Sequence, residues 1–253
     1  MALFGLFEKK YTLEMLDEHL RKLRQNGKSD SAYRCKILII DDKIEDESYP
    51  LAEELRLLRD KQTYNLTLKT DLENLTDASG YDLIICDNQG IGVKICGSRG
   101  NGISLLKLLI NEYPGKRYVM MSDKEIKINR LESFSRLSAK INVWDKRSLV
   151  LAYQENGEGG LTDHIAQEVD KVLNPLERWK EIRRSFVVNT NIALTDLAKV
   201  ENAYIKSIIR NNPQFYEREM VKISNAENDK QISSYLKATK SIIEFTISIL
   251  SLI

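Results

Sequence analysis

Four short apolar runs limit the fold of this chain more than any other feature: CKILII (35–40), YDLIIC (81–86), RYVMM (117–121) and INVW (141–144). Runs of this length and continuity suit strands buried on both faces, as in parallel sheets. A fifth segment, YNLTLK (64–69), alternates more and predicts a strand with one wetter face. Helical patterns separate the runs, near 47–60, 71–78, 101–112, 125–138 and 161–173. Five strands alternating with five helices predict an α/β, doubly wound five-stranded parallel sheet over residues 34–174.

Both flanks change period. Leu13, Leu16, Leu20 and Leu23 recur at helical spacing behind a capping Thr12, so residues 1–33 read as a helical extension. Asn174-Pro175 starts another helix, and no strand-like run follows. Helices are predicted at 175–189, 191–211, 214–223 and 229–250, with Asn211-Asn212-Pro213 as a break. Leu194, Leu197, Val200, Tyr204 and Ile208 share one face, as do Ile232, Leu236, Ile243 and Leu250 of the last helix. Residues 175–253 thus read as an all-α module, completed by a second copy or by the N-terminal helix.

Composition excludes some functions. With 38 basic and 37 acidic residues, charge does not point to nucleic acid, and none is expected as a partner. Cys35, Cys86 and Cys96 have no paired or zinc-binding spacing and read as reduced thiols, which places the chain in the cytoplasm. No membrane span is expected: IIEFTISILSLI is short and contains Glu244. The opening MALFGLF lacks the basic start and cleavage site of a signal peptide and reads as a frayed or docked end.

Open parallel sheets gather function at the carboxyl ends of their strands. There the first run ends in Asp41-Asp42, the third in Asp87 and the fourth in Ser122, and Lys146 closely follows the fifth. Any one of these could be a helix cap or a solvated lysine. Together they describe a pocket. Three carboxylates repel one another, and a hard divalent cation such as Mg²⁺ relieves that repulsion. A carboxylate beside Mg²⁺ can attack phosphorus, with a lysine and a hydroxyl receiving the phosphoryl oxygens.

On these residues the chain resembles the receiver domains of bacterial response regulators, over about 34–174. ILIIDD resembles the family's first strand and acidic pair, and DLIICD its third strand and phosphoacceptor. NGISLLKLL resembles the start of its third helix, VMMSDK its fourth strand and switch hydroxyl, and INVWDK its fifth strand and lysine. The resemblance implies a flavodoxin-like sheet of order 2-1-3-4-5. It implies Asp87 as phosphoacceptor, able to lose the phosphoryl group again. Asp41, Asp42 and Asp87 would hold Mg²⁺, and Ser122 and Lys146 would bind the phosphoryl group. A histidine kinase or phosphotransfer protein would be the donor. The output would be association of 175–253 with a second copy or another protein.

The pattern departs from the family in three places. Gly102 lies 15 positions after Asp87, so the loop 88–101 is enlarged. Arg147 replaces the proline that usually follows the lysine, so a cis bond there is not expected. Val143 holds the position of the aromatic switch, with Trp144 one step along. Gly90, Gly92, Gly97, Gly100 and Gly102, with Lys94 and Arg99, match no phosphate-loop spacing and read as a lid or partner surface. LTDLAKVENAYIKSIIRNN (194–212) lacks a turn glycine and reads as one helix rather than a DNA-binding helix-turn-helix. Two rival readings are a degenerate receiver acting as an interaction scaffold and a DNA-binding regulator with an atypical helical output. His19 reads as an ordinary surface histidine.

Overall fold

A computed structural model describes residues 10–26, 35–46, 48–60, 64–123, 141–156, 160–226 and 229–251. The expected helix at 125–138 and the MALFGLF segment lie outside the described residues.

The apolar runs become β1 (Lys36–Ile40), β2 (Asn65–Lys69), β3 (Leu83–Asp87), β4 (Arg117–Ser122) and β5 (Ile141–Asp145). They form one sheet of order β2-β1-β3-β4-β5, parallel throughout. Residues 37–40 and 83–87 are buried without a break, which is why their sequences do not alternate. Ile37, Ile39, Leu83, Ile85 and Val119 face α2 (Pro50–Asp60) and α5 (Gly160–Leu173). Leu38, Ile40, Ile84, Cys86 and Met120 face α3 (Gly102–Glu112). Edge strand β2 is only half-buried along its length, which accounts for its mixed pattern.

Two helical expectations change. The pattern at 71–78 yields one 3₁₀ turn, Leu75–Ala78. Short acidic side chains there bond nearby backbone instead of leaving it to a helix. Asp77 Oδ2 accepts from the amides of Glu73 and Asn74, and Asp71 Oδ1 from Leu72. A helix absent from the expectation, α4 (Lys146–Asn156), starts on Lys146 itself. At its start the Arg147 amide donates to Asp145 Oδ1 at 3.2 Å. No cis peptide bond occurs among the described residues.

The C-terminal region is all helical: α6 (Pro175–Asn189), α7 (Leu194–Ile209), α8 (Gln214–Ala226) and α9 (Lys230–Leu250). Helix α1 (Leu13–Asn26) completes this bundle. Tyr11, Leu16 and Leu20 share a core with Trp179, Tyr204 and Leu236. The Tyr11 amide donates to Asn202 Oδ1 at 2.7 Å, and Arg210 Nε to the Tyr11 hydroxyl at 2.9 Å. The stripe Ile232, Leu236 and Ile243 is spent inside the bundle, so it is not an open face for a second chain. Leu194, expected on the buried face of α7, opens that helix and is 73% exposed. Helix α7 runs unbroken through Glu201 and Asn202.

The bundle docks at the edge of the sheet where the strands begin. Arg117, the first residue of β4, lies between Glu168 of α5 and Glu181 of α6. Arg178 donates to the Gly115 carbonyl and pairs with Glu181. A β-carbon on Gly115 would lie 3.1 Å from Ala238 Cβ, so glycine lets the turn before β4 approach α9 closely.

Candidate functional site

The opposite edge brings the predicted residues together. Asp41 follows β1 and is fully buried; Asp87 ends β3 and is 6% exposed. Lys146 opens α4 and is 3% exposed. Its Nζ lies 2.9 Å from Asp41 Oδ2 and 3.0 Å from Asp87 Oδ2. Asp42 is exposed, yet one oxygen of each of Asp41, Asp42 and Asp87 falls within a 4.8 Å cluster. Buried Ser122 ends β4, one residue beyond the Met121 that pairs with Asp87.

Backbone geometry holds the acids in place. Asp41 Oδ1 accepts from the Lys43 amide at 3.0 Å, and Asp87 Oδ1 from the Asn88 amide at 2.6 Å. Gly90 has φ +75, and a β-carbon there would fall 2.0 Å from Asp42 Oδ2. Both its conformation and the space beside Asp42 therefore require glycine. At Gly102 a β-carbon would meet the Asp87 carbonyl at 1.9 Å, so only glycine lets α3 start against the end of β3.

One participant was not read from the sequence. The Tyr49 hydroxyl donates to Asp41 Oδ2 at 2.8 Å, and Lys146 Nζ lies 5.1 Å from the centre of its ring. Tyr49 sits in the loop before α2, where no motif marks it; its only local signal is an aromatic immediately before Pro50 in an otherwise acidic loop.

The electrostatics are unbalanced. Among the described residues, three carboxylates meet one ammonium, an excess of negative charge in the cluster. Burial raises the Asp87 pKa above the usual carboxylate range; Lys146 opposes this and the Asp41 charge adds to it. Burial alone would lower Lys146, but the Asp41 charge and Tyr49 outweigh it and hold the ammonium above its ordinary value. Burial and then the Asp41 charge raise Tyr49, which keeps its phenol a donor. The donor set is all oxygen, partly buried and over-negative, so it fits a hard divalent cation such as Mg²⁺. Beside it, Asn88 Oδ1 is buried and has no hydrogen-bond partner.

The enlarged loop is built around itself. Ile91 is buried in the core on the α3 side of the sheet. The Gly92 amide donates to Asp71 Oδ1 at 2.8 Å, and Lys94 pairs with Glu73. A helical turn, Val93–Cys96, lies between glycines at positive φ. These amides and this lysine are engaged within the fold, so nothing in them supports a nucleotide cradle.

On β5, Val143 is 36% exposed while Trp144 is buried edge-on to His164, with ring centres 5.3 Å apart. Trp144 therefore belongs to the core and is not an exposed aromatic poised to follow Ser122.

No known protein family matches the sequence, and no curated protein matches it. Among solved structures, RcsB from Salmonella enterica serovar Typhimurium, bound to promoter rprA in the presence of phosphomimetic BeF3-, matches at 19% identity. The match covers 81% of this chain and 98% of that one, with a TM-score of 0.30. So loose an overlap carries no argument. The class follows from the molecule itself: a parallel sheet of order 2-1-3-4-5 with its acids and lysine at the carboxyl edge. The described residues form a flavodoxin-like α/β module, with this set of acids and lysine at its carboxyl edge, and a helical module.

Proposed function

We propose that the chain is a phosphorylation-dependent signalling regulator in which Asp87 accepts a phosphoryl group and the helical module delivers the output. The observation that supports this most directly is Lys146 Nζ between Asp41 and Asp87, in a pocket with excess negative charge. A histidine kinase or phosphotransfer protein, acting in the cytoplasm, is the donor. An Asp87 carboxylate oxygen forms a bond to phosphorus as the bond from phosphorus to the donor imidazole breaks; the electron pair returns to the imidazole. Asp41, Asp42 and Asp87 would hold Mg²⁺, which would supply positive charge against the phosphoryl oxygens. Lys146 exchanges a carboxylate partner for a phosphoryl oxygen, and the Ser122 hydroxyl donates to another. Hydrolysis of the acyl phosphate returns the receiver to its starting state.

The output is association of residues 175–253 with a second copy or another protein. Tenfold tighter association needs about 1.4 kcal/mol of differential binding between the two receiver states. The test is incubation of the full chain with Mg²⁺ and acetyl phosphate, read by intact mass. Wild type gains one phosphoryl group and Asp87→Asn gains none. Equal labelling of the variant removes Asp87 as acceptor, and an unreactive wild type favours a phosphorylation-independent scaffold.

A further inference from the structure

A cavity of about 360 Å³ lies in the seam between the two modules, on the edge of the sheet remote from Asp87. Its receiver wall is the turn before β3 (Ser79–Asp82) and the turn before β4 (Tyr113–Lys116). Its other wall is Arg178 with a second face of α9: Ser234, Lys237, Ala238, Ser241, Ile242 and Phe245. The spacing of those six residues is that of one helix stripe.

Two features separate this cavity from a packing fault. First, α9 places small hydroxylated residues where the seam stays open, and Ala238 where it closes on Gly115. The volume lies at the lower end of the range of small-molecule sites, which favour domain interfaces. Second, cations line the cavity and reach backbone carbonyls, Arg178 being paired with Glu181 as well. Lys116 donates to the carbonyls of Ser79 and Tyr81, and Arg178 to that of Gly115. Burial lowers Lys116 to about 8 and Arg178 to about 10, against the pull of Asp82 on both. Asp82 and Glu112 supply acid on the receiver side, and Lys237 adds a third cation from α9. Tyr113, Ile242 and Phe245 furnish apolar wall.

We propose that this cavity binds a small organic anion, one acidic group joined to a flat apolar body. The acidic group meets Lys116, Arg178 and Lys237, and the body lies against Tyr113, Ile242 and Phe245. Since both modules line the site, an occupant ties the bundle to the receiver and gives the protein an input separate from Asp87.

The test is calorimetric titration of the full chain with 4-hydroxybenzoate, AMP and inorganic phosphate. The first two distinguish a carboxylate from a phosphate head group, and the third reads charge alone. Saturable binding of either aromatic anion is expected, unchanged in Asp87→Asn. It should weaken at least roughly tenfold, about 1.4 kcal/mol, in Ser241→Leu, which fills the space, and in Lys237→Glu, which reverses a charge. Both substituted residues are exposed, so the variants should fold, which circular dichroism checks. Three results overturn the proposal: no saturable binding of either aromatic anion, equal binding of inorganic phosphate, or binding that survives Ser241→Leu.

Discussion

At each edge of the sheet a cation lies between two carboxylates. At the carboxyl edge Lys146 lies between Asp41 and Asp87; at the other edge Arg117 lies between Glu168 and Glu181. The resemblance ends there. Glu168 also accepts from Lys171 at 2.8 Å and from Asn142 at 2.9 Å, and these bonds with Arg117 outweigh burial and lower its pKa. Among the described residues Asp87 has one cation, shared with Asp41, and burial raises its pKa. A saturated carboxylate is structural. An unsaturated one in a pocket with excess negative charge could hold a metal ion.

The contrast is breakable, and the largest effect belongs to the seam. Arg117→Ala leaves Glu168 buried without its main partner, and losing one member of a buried pair costs about 3–5 kcal/mol. Urea unfolding should show that loss, or an early transition in which the bundle detaches. A variant as stable as wild type would show the pair to be incidental.

Next in size is a divergence with pH. The Glu168 pKa is lowered, so its stabilisation is present above the ordinary carboxylate range and is lost as pH falls through the folded-state value. The Asp87 pKa is raised, so in the metal-free protein stability is lost as pH rises from the ordinary carboxylate value through the raised one. Asp87→Asn should therefore melt above wild type at neutral pH, and the gap should close in acid. Glu168→Gln should melt below wild type at neutral pH, and that gap should also narrow in acid. Thermal melts across pH check both signs, and two variants shifted in the same direction at neutral pH would undo the comparison.

Tyr49→Phe tests how the site is held when no metal is bound. Removing a hydroxyl that donates to Asp41 Oδ2 leaves that carboxylate oxygen with one partner fewer. With a hydrogen bond worth about 1 kcal/mol, Mg²⁺ should bind roughly fivefold tighter by calorimetry. Unchanged or weaker affinity would make Tyr49 part of the ligand scaffold. The smallest effect is at Leu194, exposed on the bundle. Leu194→Ser should change folding stability by less than about 0.5 kcal/mol. If Leu194 belongs to the output surface, the variant should still weaken association seen by light scattering with beryllofluoride; no effect would place that surface elsewhere.

Much of the receiver was legible because its signals are local. A strand buried on both faces must be apolar at every position, so residues 37–40 and 83–86 announced themselves. Asp41, Asp42, Asp87, Ser122 and Lys146 could be placed at one edge because parallel strands all end there. Helix 71–78 was misjudged because its acids bond their own backbone, a competition that apolar spacing does not record. Helix α4 is not legible because KRSLVLAYQEN carries little apolar periodicity.

Sequence alone determined the strands, the edge that carries the acids and the helical character of residues 175–253. Tertiary structure decided what covers each apolar face: α1 completes the bundle, and Ile232, Leu236 and Ile243 of the last helix lie inside it. It decided that the bundle docks on the edge away from Asp87, through Arg117, Glu168 and Glu181, which are 51 and 64 residues apart from that arginine in the chain. It also brought Tyr49 to Asp41. The reason is physical: periodicity records that a face is apolar or that a strand ends in a charge, and both are properties of one segment. Which neighbour covers the face, or shares the charge, depends on the competition among all segments for the same space.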